Sequence, residues 1–376
     1  MREYISGLSP PPTDDERIAS FADASVLSRV FHLCLGSLLM IRAGLIGYGY
    51  WGPNLARNIN GHDQCRLVRV ADTSEKRRAL AKRTFPAVDT VADAATITAA
   101  GDIDLVVIAT PVFTHYDLAL AALKNGKHVW IEKPMTSTLE QAKTLNDLAE
   151  AKGLTIMVDH TFLFTGAVTR MKDLVDTGEL GQLYYYDSVR VNLGIFQHDV
   201  NVIWDLAPHD FSIMDHLLGP SARAVCAQGR GHFDTGLEDV AYVTVFFDQN
   251  LVAHFHLNWL SPVKIRKTIV GGSKRMLVWD DLDFEAKLKV YDKGMEVGTQ
   301  EGLYRVLATP RTGAMHAPVV PDTEALHAEV DYLCRCIDAN ERPFNDGRAG
   351  QRIVALLDAT DRSLRDGGRV VELAQD

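Results

Sequence analysis

Two short stretches carry side chains able to move a proton. "WIEKPM" sets Glu132, Lys133 and Pro134 at the end of an apolar run, and "WDLAPHD" sets Asp205 four residues before His209. A lysine desolvated at the mouth of a cleft can serve as acid or base. An imidazole beside a carboxylate has a fixed tautomer and a raised basicity, which suits removal of an alcohol proton. Spacing of four brings Asp205 and His209 to one face of a helix. Taken singly, a strand-end lysine is also a common surface group, and His209-Asp210 a common capping or core pair. Proton transfer of this kind becomes an oxidation only where something accepts the electrons.

"GLIGYGYWGPN" (44–54) offers a seat for such an acceptor. Gly47, Gly49 and Gly52 form G-x-G-x-x-G directly after the apolar run Ala43–Ile46, a helix follows, and Asp72 closes the next strand. In that pattern Gly47 permits the tight turn, Gly49 lets backbone approach a pyrophosphate, and Gly52 allows close helix–strand packing. The helix N-terminus turns free N–H groups towards the phosphates. Asp72 would accept from the adenosine ribose hydroxyls and repel a 2′-phosphate, which favours NAD over NADP. Lys76, Arg77 and Arg78 follow closely and could instead clamp that phosphate.

These residues need strands to hold them. "IRAGLIG", "RLVRVAD" (66–72), "IDLVVIAT" (103–110), "HVWIEK" and "LTIMVDH" read as strands, with helical patterns between them. "HYDLALAALKNG" is a helix closed by Gly126, and "TLEQAKTLNDLAEAKG" one capped by Thr138 and ended by Gly153. Strict alternation predicts an α/β fold with a doubly wound parallel sheet of the Rossmann kind over 40–160. Beyond 160 come a helix, the strand "GQLYYYDSVRVN", a helix over 203–218, six strand-like runs between 223 and 292, and two closing helices. Connections so short predict an α+β substrate-binding and oligomerisation domain over 161–376 with a large open mixed or antiparallel sheet. Pro208 is tolerated in a first helical turn, so that helix is expected to begin at or just after Asp205.

Composition narrows the setting. A net charge of −10 from 39 basic and 49 acidic residues argues against a nucleic-acid or anionic-membrane surface. No apolar run reaches the roughly 20 residues of a membrane span. Five scattered cysteines suit a reducing, cytoplasmic compartment, and no metal site is expected, since Cys334-Arg-Cys336 has no second ligand pair. The first 39 residues, with "LSPPPTDDER" and "SVLSRVFHLCLGSLLM", read as a disordered or non-native leader. Its removal is expected to leave folding and activity intact.

The glycine motif, "ATPVFTH" with His115, "EKP" and D-x-x-x-H, in this order and spacing, resemble the Gfo/Idh/MocA family of NAD(P)-dependent sugar oxidoreductases from residue 41 onward. "GYGYWGPNLARN", "VRVNLGIFQHDVNVIWDLAPHD" and "NWLSPVKIRKTIVGG" are similar to the branch acting on nucleotide sugars. The resemblance implies that Gly47, Tyr48, Gly49, Gly52 and Asp72 hold the adenosine half of NAD. Tyr50 and Trp51 would lie towards the nicotinamide, with Thr110, Pro111, His115, Glu132 and Lys133 along the groove. Lys133 and His209 would meet the sugar hydroxyl, with Asp205 supporting. Arg190, Asn192, Lys264 and Arg266 are candidates for the substrate, the last two on one strand face by period-two geometry. The implied reaction is oxidation of a ring hydroxyl, at C3 of a sugar such as UDP-N-acetylglucosamine or its uronate, or the reverse reduction. An NAD-borrowing glycoside hydrolase and a non-catalytic NAD-binding regulator stay open, although Lys133 and His209 together speak against the regulator. An open sheet face makes a homo-oligomer, dimer or tetramer, the expectation.

Overall fold

The computed structural model describes residues 40–194, 197, 199–233, 236–297 and 308–374. The leader over 1–39 lies outside the described residues. β1 (Ile41–Ile46), α1 (Gly52–Asn60), β2 (Cys65–Ala71), α2 (Glu75–Thr84), β3 (Asp89–Val91), α3 (Ala95–Thr98), β4 (Leu105–Ile108), α4 (His115–Lys124), β5 (His128–Glu132), α5 (Leu139–Lys152) and β6 (Ile156–Asp159) alternate as expected. Their strands form one parallel sheet in the order β3-β2-β1-β4-β5-β6. Every residue of β4 is buried, as a strand covered by helices on both faces must be. The direction of winding reverses between β1 and β4, the place where such sheets bind ligands beyond the strand ends. Register aligns Ile46 with Ile108, Ile108 with Ile131, and Glu132 with Asp159, so the residues after these positions share one rim.

Thr138 caps α5 by accepting from the Gln141 amide, and Gly153 ends it in the left-handed region at φ 63°. β3 and α3 were not expected. β3 is a three-residue edge strand, too short to show a period.

The second part contains α6 (Gly166–Asp176), β7 (Leu183–Leu193), α7 (Val202–Leu218), β8 (Ala222–Arg230), β9 (Val240–Phe247), β10 (Val252–Asn258), β11 (Leu260–Gly272), β12 (Met276–Asp280), β13 (Leu288–Tyr291), β14 (Gly294–Val297), β15 (Ala308–Arg311), β16 (Met315–His316), α8 (Ala325–Ala339), α9 (Gly347–Arg365) and β17 (Val371–Glu372). Nine of the strands form a mixed sheet, β16-β13-β12-β11-β7-β10-β9-β8-β17, in which β7 runs parallel to β10 and antiparallel to β11. Alternate residues of β7, Tyr186, Ser188 and Arg190, face inward and are buried. Phe211 of α7 meets Phe255 of β10 edge-on at 4.9 Å, which seats the helix on this inner face. The closing helices return to the first sheet, where Leu326, Val330 and Leu333 of α8 join the core under β1 and β2.

α7 begins earlier than expected. Asn201 caps it by accepting from the amides of Ile203 and Trp204, both at 3.1 Å, so Pro208 stands inside the helix. The cap, invisible to a reading that stops a helix at its proline, fixes the start at Val202. Pro208 lacks the N–H that would bond the Trp204 carbonyl, which loosens the turn containing Asp205.

Candidate active site

The glycine loop is shaped by what cannot fit in it. Gly47 has φ 97°, and a Cβ there would come within 2.4 Å of the Ala109 carbonyl oxygen. A Cβ on Gly52 would come within 2.4 Å of the Gly47 carbonyl oxygen. At Gly49 the nearest neighbour to such a Cβ is the Arg77 guanidinium at 3.6 Å, so the backbone is open to an approaching group. The Asp72 carboxylate is buried at the end of β2. It accepts from the amides of Tyr48 and Ser74, both at 2.8 Å, and Arg77 lies 3.7 Å away. Arg78 is committed to the carbonyls of Asp72 and Thr73. The arrangement fits a dinucleotide: an uncovered backbone turn at a helix N-terminus, with a fixed carboxylate beside it.

Other residues expected in the cofactor groove divide. Tyr50 is 92% exposed, whereas Tyr48 is 2% exposed and contributes its backbone amide, not its ring. The Trp51 indole donates to Asp159 Oδ2 at 2.7 Å, tying the loop to the end of β6. Pro111 is exposed on the rim, and the Thr110 and Thr114 hydroxyls meet at 2.6 Å. His115 does not line the groove. It is buried, with Nδ1 3.0 Å from the Pro134 carbonyl and Nε2 2.8 Å from that of Thr110, so it braces the ends of β4 and β5 from behind. Desolvation lowers its pKa. Glu132 accepts from the Lys133 amide at 3.0 Å but otherwise belongs to a carboxyl cluster with Asp159 and Glu329 of α8. Burial, and then the neighbouring Asp159, push Glu132 and Glu329 well above the ordinary carboxyl range.

Lys133 and α7 do converge. Lys133 Nζ donates to the Asp205 carbonyl at 2.9 Å, in the turn that Pro208 loosens, and lies 3.9 Å from the Asp205 carboxylate. Asp205 Oδ2 accepts from the Trp259 indole at 3.1 Å. The expected carboxylate–imidazole pair is therefore not made: Asp205 serves Lys133, and His209 Nδ1 has no hydrogen-bond partner among the described residues. The helix does put both residues near Lys133, but the side chain of Asp205 turns to the Trp259 indole between β10 and β11. His209 meets Phe162 edge-on at 5.0 Å. Desolvation, and then the cations Lys133 and Arg190, hold the imidazole well below its ordinary pKa, so it is neutral at pH 7.

Of the four substrate candidates, Arg190 is engaged elsewhere. It is buried and forms a two-bond pair with Asp210, at 2.7 and 3.0 Å, while its guanidinium lies 4.7 Å from the Phe162 ring centre. Arg266 reaches the same ring at 5.7 Å and pairs with Asp281 at 3.3 Å. Lys264 and Asn192 are exposed. Phe162, Asp159, Asp210 and Trp259 were not singled out from sequence. Phe162 and Asp159 had one available signal, their position at the carboxyl end of a parallel strand.

Comparison with known proteins places the chain by family. A family model described as an oxidoreductase family with an NAD-binding Rossmann fold, GFO_IDH_MocA, matches residues 41–160, and the GFO/IDH/MocA C-terminal domain matches 168–278. The chain is 35% identical to an uncharacterised oxidoreductase of Escherichia coli (strain K12) over 65% of this chain and 72% of that protein. It is 28% identical to the scyllo-inositol 2-dehydrogenase (NAD(+)) of Bacillus subtilis (strain 168), over 61% and 69%. It is also 28% identical to the UDP-N-acetylglucosamine 3-dehydrogenase of Acidithiobacillus ferrooxidans, over 85% and 95%.

Proposed function

Because the chain belongs to the Gfo/Idh/MocA family of NAD-binding oxidoreductases, we propose that it oxidises a ring hydroxyl of a nucleotide-linked sugar. The position is C3 of UDP-N-acetylglucosamine or its uronate, with the 3-ketone reduced in the reverse direction. The observation that carries this reading is the bond from Lys133 Nζ to the Asp205 carbonyl. It fastens the end of β5, beside the dinucleotide loop, to the helix that presents His209.

NAD, when bound, supplies the hydride acceptor. His209, neutral at pH 7, takes the hydroxyl proton. Lys133 has donors beyond the one given to Asp205, and its charge stabilises the developing alkoxide. The two roles are exchangeable between these residues. Asp205 holds Lys133 in place, and the Arg190–Asp210 pair holds the strand and helix on either side of Phe162. Arg266, Lys264 and Asn192 supply donors for the pyrophosphate or a sugar carboxylate. The outer face of the nine-stranded sheet supports a homo-oligomer: Tyr242 stacks on His256 at 4.7 Å, Val189 stands opposite His256, and Val252 and Ile269 are half-buried on the same face. Among the described residues no helix is long and apolar enough to cross a membrane, and the free cysteines there fit a cytoplasmic protein.

A second reading takes a free cyclitol as substrate, favoured by the likeness to the scyllo-inositol enzyme over 61% of this chain and 69% of that enzyme. A screen of UDP-sugars and inositols with NAD and NADP, followed at the absorbance of reduced nicotinamide, tests both. Turnover of a UDP-sugar with NAD at tenfold or more the kcat/KM of any inositol supports the first reading. Turnover of inositols alone moves the assignment to the second, and glycoside cleavage without net NADH points to the hydrolase.

A further inference from the structure

Behind His209, α7 borders a cavity of about 180 Å³ in which His160, Ser212, Asp215, His216 and Arg352 stand among apolar residues. Ser212 is one turn on from His209 and donates its hydroxyl to the His209 carbonyl at 2.8 Å. Asp215 and Arg352 pair across the cavity wall at 2.7 and 3.0 Å. These two residues and Pro220 also line a larger groove of about 410 Å³ that runs past the exposed Asp358 and Arg362. The cavity therefore lies between the catalytic helix and open surface, and none of its lining comes from the glycine loop.

His160, on the cavity wall, and His209, one turn before Ser212 on α7, contribute three buried ring nitrogens. His160 Nδ1 and Nε2, and His209 Nδ1, have no hydrogen-bond partner among the described residues. Leaving such atoms dry is costly, and a cavity that has room for several waters and polar groups in its wall can satisfy those of His160. His160 directly follows β6, and Phe162, two residues on, holds the His209 ring edge-on.

We propose that His160 carries the substrate's hydroxyl proton from His209 into this cavity, giving the proton an exit that does not pass the cofactor cradle. The inference rests on His209 being the base. In the oxidation, the carbon's hydrogen leaves with its electron pair as hydride to the nicotinamide, and the hydroxyl proton passes to His209 Nε2 as the carbonyl forms. His209 releases its Nδ1 proton through a bridging water to one nitrogen of His160, whose other nitrogen gives a proton to cavity water. One proton reaches solvent per hydride transferred. Both imidazoles end neutral in their other tautomer and are reset by exchange with cavity water.

A relay of this kind needs a ring that donates and accepts at once, which only a neutral imidazole does. Burial, and then Lys133, hold the His160 pKa at about 3, so the ring is neutral throughout the working range. The charges facing the pair are Lys133, Arg190 and Arg266. They oppose a resident proton, Lys133 on both rings and the two arginines on His209.

Stopped-flow measurement with UDP-N-acetylglucosamine and NAD, or the ring alcohol that turns over in the screen above, tests this in weak buffer with a pH indicator. Wild-type protein is expected to release one proton per NADH at the rate of hydride transfer. In His160→Ala and His160→Gln the first hydride transfer and the NAD affinity stay within twofold of wild type. Proton release falls tenfold or more behind, and added imidazole restores it. Release that keeps pace with hydride in folded His160→Gln overturns the relay. Loss of the first hydride transfer in both variants also overturns it, by making His160 a packing residue. His209→Asn separates the two claims, because a wild-type first turnover there sinks the base assignment, whatever His160 does.

Discussion

The glycine loop and the ground around His209 are built by different means. At the loop the shaping contacts are made by backbone groups of neighbouring strands: the Gly47 amide bonds the Ala71 carbonyl, and Asp72 takes two amides, the farther 24 residues away. Around His209 the groups come from β5, β7, α7, β11 and the turn after β6. They are joined by side chains, with Lys133 and Asp205 72 residues apart and Asp205 and Trp259 54 apart. The loop is a site made of chain geometry, which side-chain changes elsewhere barely touch. The His209 region is made of buried charges, each depending on its partner.

Asp210→Ala is the harshest way to break that contrast. It leaves the Arg190 guanidinium buried without its carboxylate, a situation that costs about 3–5 kcal/mol. Urea denaturation should show a loss of that order. A loss below about 1 kcal/mol would mean that Arg190 can reach solvent or another acceptor. At the loop, by comparison, Asp72→Ala should weaken NAD binding by about 1–3 kcal/mol, as for a lost charge-assisted bond. Titration should show a smaller loss for NADP. Equal losses would mean that Asp72 only braces the Tyr48 and Ser74 amides.

Between the two regions lies the carboxyl cluster of Glu132, Asp159 and Glu329. Glu329 has a folded pKa raised by burial, so its contribution to stability is complete below the ordinary carboxyl pKa of about 4.3 and is lost as pH rises through the folded value. Glu329→Gln removes that loss. Its stability relative to wild type should rise as pH goes from about 4 to 8, by at most about 1.4 kcal/mol per pH unit. The histidines held low by burial act in the opposite sense, losing stability as pH falls, but they are common to both proteins and cancel in the difference. A pH-independent difference would mean that Glu329 ionises normally.

The smallest expected effect is on Arg266, which shares the Phe162 ring with Arg190 but is only partly buried and paired at 3.3 Å. Arg266→Ala should raise KM for a UDP-sugar several-fold while kcat holds. An unchanged KM returns the residue to a structural role with Asp281.

The same contrast explains what could be read from the chain. The dinucleotide cradle was legible because its geometry is encoded in spacing: three glycines, a helix start and a strand-end acid lie within one βαβ unit. The alternating elements and the ends of α4 and α5 at Gly126 and Gly153 were legible for the same reason. Lys133 and His209 were found as residue types, but their partners were not. Nothing in the spacing of "WDLAPHD" tells that Asp205 will turn to Trp259 and Lys133, or that Asp210, not a substrate, will claim Arg190. Those pairings are decided by sheet register and by a proline inside a helix. His115 misled for a related reason, since a histidine at a strand end looks the same in sequence whether it faces the cleft or braces it from behind.

Single-turnover hydride transfer in Lys133→Met and His209→Asn, measured beside an NAD titration, tests the central claim most directly. Each variant is expected to bind NAD as wild type does while transferring hydride about 100-fold more slowly or worse, the scale of general acid–base catalysis. Hydride transfer at the wild-type rate in either variant would remove that residue from the chemistry and contradict the account of the site.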